Sequence, residues 1–138
     1  MDPNVKAFLD TIAYAEGTDG PDGYQMLFGG GLFHGFADHP RILVRRSGIA
    51  STAAGRYQIL ERTWDELGLP DFTPASQDAA AVKLLVRRKA LDHIEAGQFD
   101  LAVAAACHEW ASLPGAGYNQ PERSLEKLES VYRQKGGT

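Results

Sequence analysis

The sequence predicts an α+β domain, a mainly helical body carrying one small β-lobe. Three observations carry that prediction. Apolar residues recur at helical spacing in the first sixteen positions and again in several segments after residue 51. Most of the fifteen glycines fall between residues 17 and 55, where the apolar runs become short and broken. At 138 residues the chain is one domain by size, long enough for a single core.

The elements follow in order. Asp2 suits an N-cap and Pro3 the first helical position. Val5, Phe8, Leu9 and Ile12 then repeat on one face, and Gly17 provides a natural stop. From about 20 to 50 the runs Tyr24 to Phe28, Leu32 to Phe36 and Ile42 to Val44 are separated by glycines and by Asp38-His39-Pro40. That pattern predicts the irregular β-lobe. Ser51 or Thr52 is positioned to cap a turn leading into Tyr57 to Leu60 and Trp64. Thr73-Pro74 opens a helix whose Ala79, Val82, Leu85 and Val86 share a face. A short helix at Leu91 to Ala96 stops at Gly97. Asp100 caps Leu101 to Ala111. Pro121 opens a last helix over Ser124 to Lys135, with Leu125, Leu128, Val131 and Tyr132 on one side.

Composition excludes several functions. A net charge of −4 argues against a dedicated nucleic-acid binder. The single cysteine, Cys107, rules out an internal disulfide and reads as a small core residue. The four histidines show no metal-ligand spacing, so no metal and no cofactor is expected. No run approaches the roughly 18 apolar residues that span a bilayer, and no signal peptide is visible at the start. Synthesis in the cytoplasm without stable membrane insertion is the expectation.

Glu16 is the most informative residue. At about 100° per residue it returns to roughly 20° from Val5, on the apolar stripe. It lies in the last turn, where the helix dipole disfavours negative charge. Burial and dipole both raise a carboxyl pKa, which suits a general acid. Spacing alone favours a plainer reading, a frayed end whose carboxylate meets water or an arginine. Its neighbours change that balance. Gly17-Thr18-Asp19-Gly20 leads straight into the β-lobe, which sets Glu16 at the mouth of an interlobe cleft. Ser51 to Ile59 adds small residues beside an aromatic ring and an amide, groups that suit a sugar chain.

Taken together, Ala15 to Asp19, Phe28-Gly29-Gly30, Asp38 to Arg41, Ser51 to Gln58 and Trp110 to Tyr118 resemble the lambda endolysin type of lytic transglycosylase, glycoside hydrolase family 104. The resemblance runs in order over nearly the whole chain. It implies a lysozyme-like fold and cleavage of the β-1,4 bond between N-acetylmuramic acid and N-acetylglucosamine in peptidoglycan. It also implies a 1,6-anhydro product, and it matches Glu16 to the family's catalytic glutamate. One carboxyl suffices when the sugar's own 6-hydroxyl is the nucleophile, whereas ordinary glycosidases use two.

For the groove the expected residues are Ser51, Tyr57, Gln58, Gln77 and Tyr118, with Tyr57 as core and Gln77 as a first-turn residue the plain alternatives. Trp64 and Trp110 read as core. Asp19, Asp22 and Asp38 are the other acids to weigh, the first two as turn formers. Asp38 is suited to fixing the His39-Pro40 turn, and His39 to facing substrate. Gln25 stands where the family pattern has an aspartate, and the loop before Tyr24 is shorter than the family's. Arg41, Arg45, Arg46 and Arg56 are candidates to line the groove. The expected partner is the peptidoglycan glycan strand, met by a monomer in the periplasm after a separate holin opens the membrane. Alternatives are a hydrolytic muramidase and a non-catalytic tail component.

Overall fold

The computed structural model describes residues 1–115 and 124–138. Helix α1 (Pro3–Glu16) begins as its sequence dictates: the Asp2 carboxylate accepts the N–H of Asn4 at 2.8 Å and of Val5 at 3.3 Å. Gly17 ends it at φ 78°, donating back to the Ala13 and Tyr14 carbonyls. Val5, Phe8, Leu9 and Ile12 are all buried. Through them α1 becomes the spine of the molecule, packed against the helices labelled α3, α4 and α6 below.

After α1 the chain is irregular as far as Ile59, as the clustered glycines require. Its one sheet among the described residues is a hairpin of β1 (Val44–Arg46) and β2 (Ile49–Ser51), with Val44 opposite Ser51. Ser47 and Gly48 turn it with φ 52° and 80°, the left-handed pair that a two-residue hairpin loop needs. Single bridges join Met26 to Leu32, Leu27 to Ala54, and Ala54 to Ile59. The lobe therefore extends past residue 50 and is stitched to the segment that follows it.

Helix α2 (Glu61–Leu67) has its first N–H accepted by Thr52 Oγ1 at 3.1 Å, a cap supplied from nine residues away. Helix α3 (Pro74–Arg87) starts on Thr73, whose hydroxyl accepts Ser76 N–H at 3.3 Å. Its buried face is Gln77, Ala80, Ala81, Leu84 and Leu85, while Ala79 and Val86 are exposed. The sequence reading was rotated because Gln77, a polar residue, occupies an interior position. Helix α4 (Leu91–Glu95) stops before Gly97.

Helix α5 (Phe99–Ala106) starts and stops earlier than expected. Asp100 is not its cap; it lies in the first turn, where the dipole favours a carboxylate. Phe99 is drawn into the helix because its ring packs at 5.9 Å on Phe8 and 4.8 Å on Tyr132. Helix α6 (Leu125–Gln134) is capped by Ser124, which accepts Lys127 N–H, and buries Leu128, Val131 and Tyr132. Leu125 stays exposed, and Pro121 lies outside the described residues.

A second aromatic cluster joins the lobe to the body. Phe72 packs edge-on against Trp64 at 4.7 Å and His39 at 5.0 Å. Cys107 is buried as expected, and both tryptophans are 3% exposed. Among the described residues no helix is long and apolar enough to cross a membrane.

Candidate active site

A cleft of about 430 Å³ opens where the end of α1 meets the lobe and the turn after α5. Glu16 enters it from the last turn of α1. Phe28, Ile49, Ala50, Ser51 and Ala53 line it from the lobe, with Gln58 and Leu60 from the segment that follows. Glu109, Trp110 and Ala111 close the opposite wall.

Glu16 is half-buried, and the Ser112 hydroxyl donates a hydrogen bond to its Oε2. Immediately after it the chain is tied down. Thr18 is 1% exposed, and its hydroxyl sits against the Ala13 and Arg56 carbonyls, fastening the end of α1 to the 55–58 segment.

That segment is held from every side. Gly55 has φ 81°, and a Cβ there would stand 2.3 Å from Gln77 Oε1 and 2.9 Å from Phe72 Cζ. The Gln77 amide explains the crowding. Its Oε1 accepts Arg56 N–H at 2.9 Å, and its Nε2 donates to the Tyr24 and Phe72 carbonyls at 3.0 and 2.9 Å. Gln58 Nε2 donates to the Met26 and Gly55 carbonyls, and Trp110 Nε1 donates to the Tyr57 carbonyl at 2.8 Å.

Behind the segment runs a chain of polar groups. Arg56 pairs with Asp10 at 2.8 Å and donates to Tyr57 Oη at 2.9 Å. Tyr57 in turn donates to Asp78 at 2.6 Å, and Tyr24 donates to the same oxygen at 2.9 Å. Burial pushes the Tyr57 phenol far above its ordinary pKa, and the Asp78 carboxylate adds to that. Burial also raises the Asp10 carboxyl, but hydrogen bonds and charge from Arg56 and Lys6 outweigh it and leave the group below its normal range. These side chains serve as struts for the cleft.

The arrangement has close relatives. A family model described as Endolysin matches residues 6–138. The endolysin of Escherichia phage lambda is 45% identical over 144 residues, covering 96% of this chain and 91% of that protein. The endolysin of Escherichia phage P2 is 43% identical over 154 residues, covering 97% and 93%. The chain belongs to the endolysin family. Among solved structures, the bacteriophage lambda lysozyme complexed with a chitohexasaccharide superposes with a TM-score of 0.94 at 43% identity, covering 100% of this chain and 97% of that one. A second lambda lysozyme structure gives 0.88. The lysozyme-like α+β architecture expected from the sequence is therefore the one this endolysin-family chain has.

The site residues expected from the sequence separate into three groups. Glu16, Ser51 and Gln58 come together on the cleft wall. Tyr57 and Gln77 do not: each is 1% exposed, and their polar atoms are engaged inside the protein. Both shape the groove without lining it, which corrects the expectation. Tyr118 lies outside the described residues.

The basic residues also need correction. Arg41 is bound by Asp38, Glu61 and Asp65, and Arg56 by Asp10, so neither lines the cleft. Arg45 and Arg46 are exposed on β1 and are not among the cleft-lining residues. His39 is 2% exposed, with Nε2 donating to the Ile59 carbonyl, and it does not face the cleft. Asp38 does fix the turn, accepting His39 N–H at 2.8 Å.

Sequence reasoning missed two groups at the site, Ser112 behind Glu16 and Glu109 in the cleft lining. Ser112 carried the clue of lying in the Trp110-Ala111-Ser112 run, but no local rule pairs it with Glu16. Glu109 drew no expectation from the sequence, yet it lines the cleft with a side chain only 11% exposed.

Proposed function

We propose that the chain is a lytic transglycosylase that cleaves the β-1,4 bond between N-acetylmuramic acid and N-acetylglucosamine in peptidoglycan, with Glu16 as its acid and base. The observation that carries this reading is the half-buried Glu16 carboxyl on the cleft wall, held by Ser112. The complex of the similar lambda lysozyme with a chitohexasaccharide supports a glycan as the cleft's occupant.

Glu16 gives its proton to the glycosidic oxygen as the bond from the anomeric carbon to that oxygen breaks. The resulting carboxylate takes the proton of the same muramic acid's 6-hydroxyl, whose oxygen forms the new bond to the anomeric carbon. The proton count at Glu16 closes, and no water is consumed. The nucleophile belongs to the substrate, so it is already near its target. Ser112 keeps the Glu16 oxygens in one orientation between the two proton transfers. Asp19, Asp22 and Asp38 are not among the cleft-lining residues, which favours a scheme without any of them as second acid.

Mass spectrometry of muropeptides released from purified Gram-negative sacculi tests the reading. Anhydro ends about 18 Da lighter than hydrolytic products are expected, because intramolecular attack retains no water. Reducing ends would make the enzyme a hydrolytic muramidase, and no release at all would leave a glycan-binding protein.

A further inference from the structure

A second carboxylate lines the cleft, and the reaction at Glu16 does not use it. Glu109 stands in the turn after α5, next to Trp110. Its Oε1 accepts Arg88 Nε at 2.9 Å and lies 3.7 Å from Arg87 Nη2. Arg87 is itself held by Glu66 at 3.0 Å. Glu109 borders both the main cleft and a recess of about 40 Å³ that opens beside α2, walled also by Gln58, Leu60, Thr63 and Trp110.

Packing alone gives no reason for a carboxylate there. The recess behind it is lined by Ile59 and Leu84, against which an apolar side chain would pack well. The Glu109 side chain is 11% exposed and its arginine partners 42% and 40%, and ion pairs open to solvent on one side add little stability that apolar packing could not replace. What the pair does supply is a fixed acceptor: two arginines hold one oxygen, which sets the plane of the group and the position of the other oxygen. Of its neighbours in the cleft lining, Trp110 has its Nε1 on the Tyr57 carbonyl and Gln58 its amide nitrogen on the Met26 and Gly55 carbonyls. A glycan strand offers hydroxyl and acetamido N–H donors, the partners an immobilised carboxylate oxygen accepts best.

We infer that Glu109 is a substrate-anchoring residue of the cleft, its Oε2 accepting a hydrogen bond from a glycan hydroxyl or acetamido N–H while Arg88 holds its Oε1. This rests on the cleft being a glycan groove but not on the chemistry at Glu16.

The test is calorimetric binding of the N-acetylglucosamine hexamer to a Glu16→Gln protein, with Glu109→Ala and Glu109→Gln added in turn. Loss of a charged hydrogen bond is expected to weaken binding about tenfold or more for Glu109→Ala, and about threefold for Glu109→Gln. Melting temperatures should stay within about 4 °C, because Arg88 is 40% exposed and returns to water. With Glu16 intact, Glu109→Ala should raise KM more than it lowers kcat. Equal binding by all three proteins overturns the inference while leaving the groove in place. A loss of affinity matched by Arg88→Ala and proportional to a fall in melting temperature overturns it as well, because the role would then be structural. If neither the Glu16→Gln protein nor the unaltered chain binds the hexamer, the glycan groove itself fails and the inference with it.

Discussion

Ser112 donates its hydroxyl hydrogen to Glu16 Oε2, joining residues 96 positions apart. The bond leaves Oε1 as the carboxyl oxygen that Ser112 does not hold, so it orients the group as well as binding it. Removing the hydroxyl should free the carboxyl to rotate without altering the walls of the cleft. Ser112→Ala is therefore expected to lower kcat about tenfold, the value of one hydrogen bond to a charged group, with KM little changed. Steady-state turnover of soluble peptidoglycan fragments checks it. A rise in KM alone would mean that Ser112 contacts substrate instead.

Glu16→Gln keeps the shape and the Ser112 contact but cannot give or take the proton. Muropeptide release should fall at least about a hundredfold, the low end for loss of a general acid–base group. Circular dichroism and melting temperature should be close to those of the unaltered chain, since Glu16 is only half-buried at the end of its helix. Full lytic activity in this variant would remove the proposed mechanism.

What could be read in the sequence was local. The Asp2 cap, Pro3, the Val5–Phe8–Leu9–Ile12 stripe and the Gly17 stop are all decided within one helix, and α1 forms as its residues dictate. Helical period also set Glu16 against the apolar face, but its reading as the acid came from the neighbouring segments and the family resemblance, not from that helix alone. Ser112 and Glu109 were not legible, because the turn after α5 reaches the cleft only through tertiary packing. Gln77 misled in the opposite sense. Its polarity suggested a groove contact and hid that α3 turns it inward to satisfy three backbone groups, those of Tyr24 and Arg56 on the lobe side and that of Phe72 just before α3.

That role makes Gln77 and Gly55 a coupled pair whose loss should be felt as stability. Gln77→Leu leaves Arg56 N–H and two carbonyls without their partner, in a site that is 1% exposed. Unsatisfied buried groups of this kind cost about 1–3 kcal/mol each, and partial relaxation should bring the total to roughly 3 kcal/mol. Gly55→Ala meets the same amide from the other side, at a backbone angle that disfavours any side chain. A destabilisation above about 2 kcal/mol is expected there as well. Urea unfolding of each variant and of the double variant checks this. The double should lose less than the sum of the singles, since both act through one contact. Strict additivity would show that the two positions are independent.

His39 links stability to pH. Its Nδ1 accepts Arg41 N–H at 3.0 Å, so the ring proton is on Nε2, which donates to the Ile59 carbonyl at 2.8 Å. Protonation would place a second hydrogen against the Arg41 amide inside the Trp64–Phe72 cluster. Burial accordingly holds its pKa below the ordinary 6.5, with the nearby Arg41 charge acting the same way. In the unfolded chain the ring takes its proton near 6.5; in the native state it does so only at lower pH. The stabilisation is thus complete above about pH 6.5 and is lost as pH falls through the folded value, at up to about 1.4 kcal/mol per pH unit. The depressed carboxyls of Asp10, Asp38, Asp65 and Asp71 act in a separate window, below about pH 4. Urea midpoints measured from pH 7.5 to 5 should fall in the unaltered chain. In His39→Asn, which starts from lower stability, they should change much less over that range. Equal slopes in the two proteins would assign the pH dependence to another group.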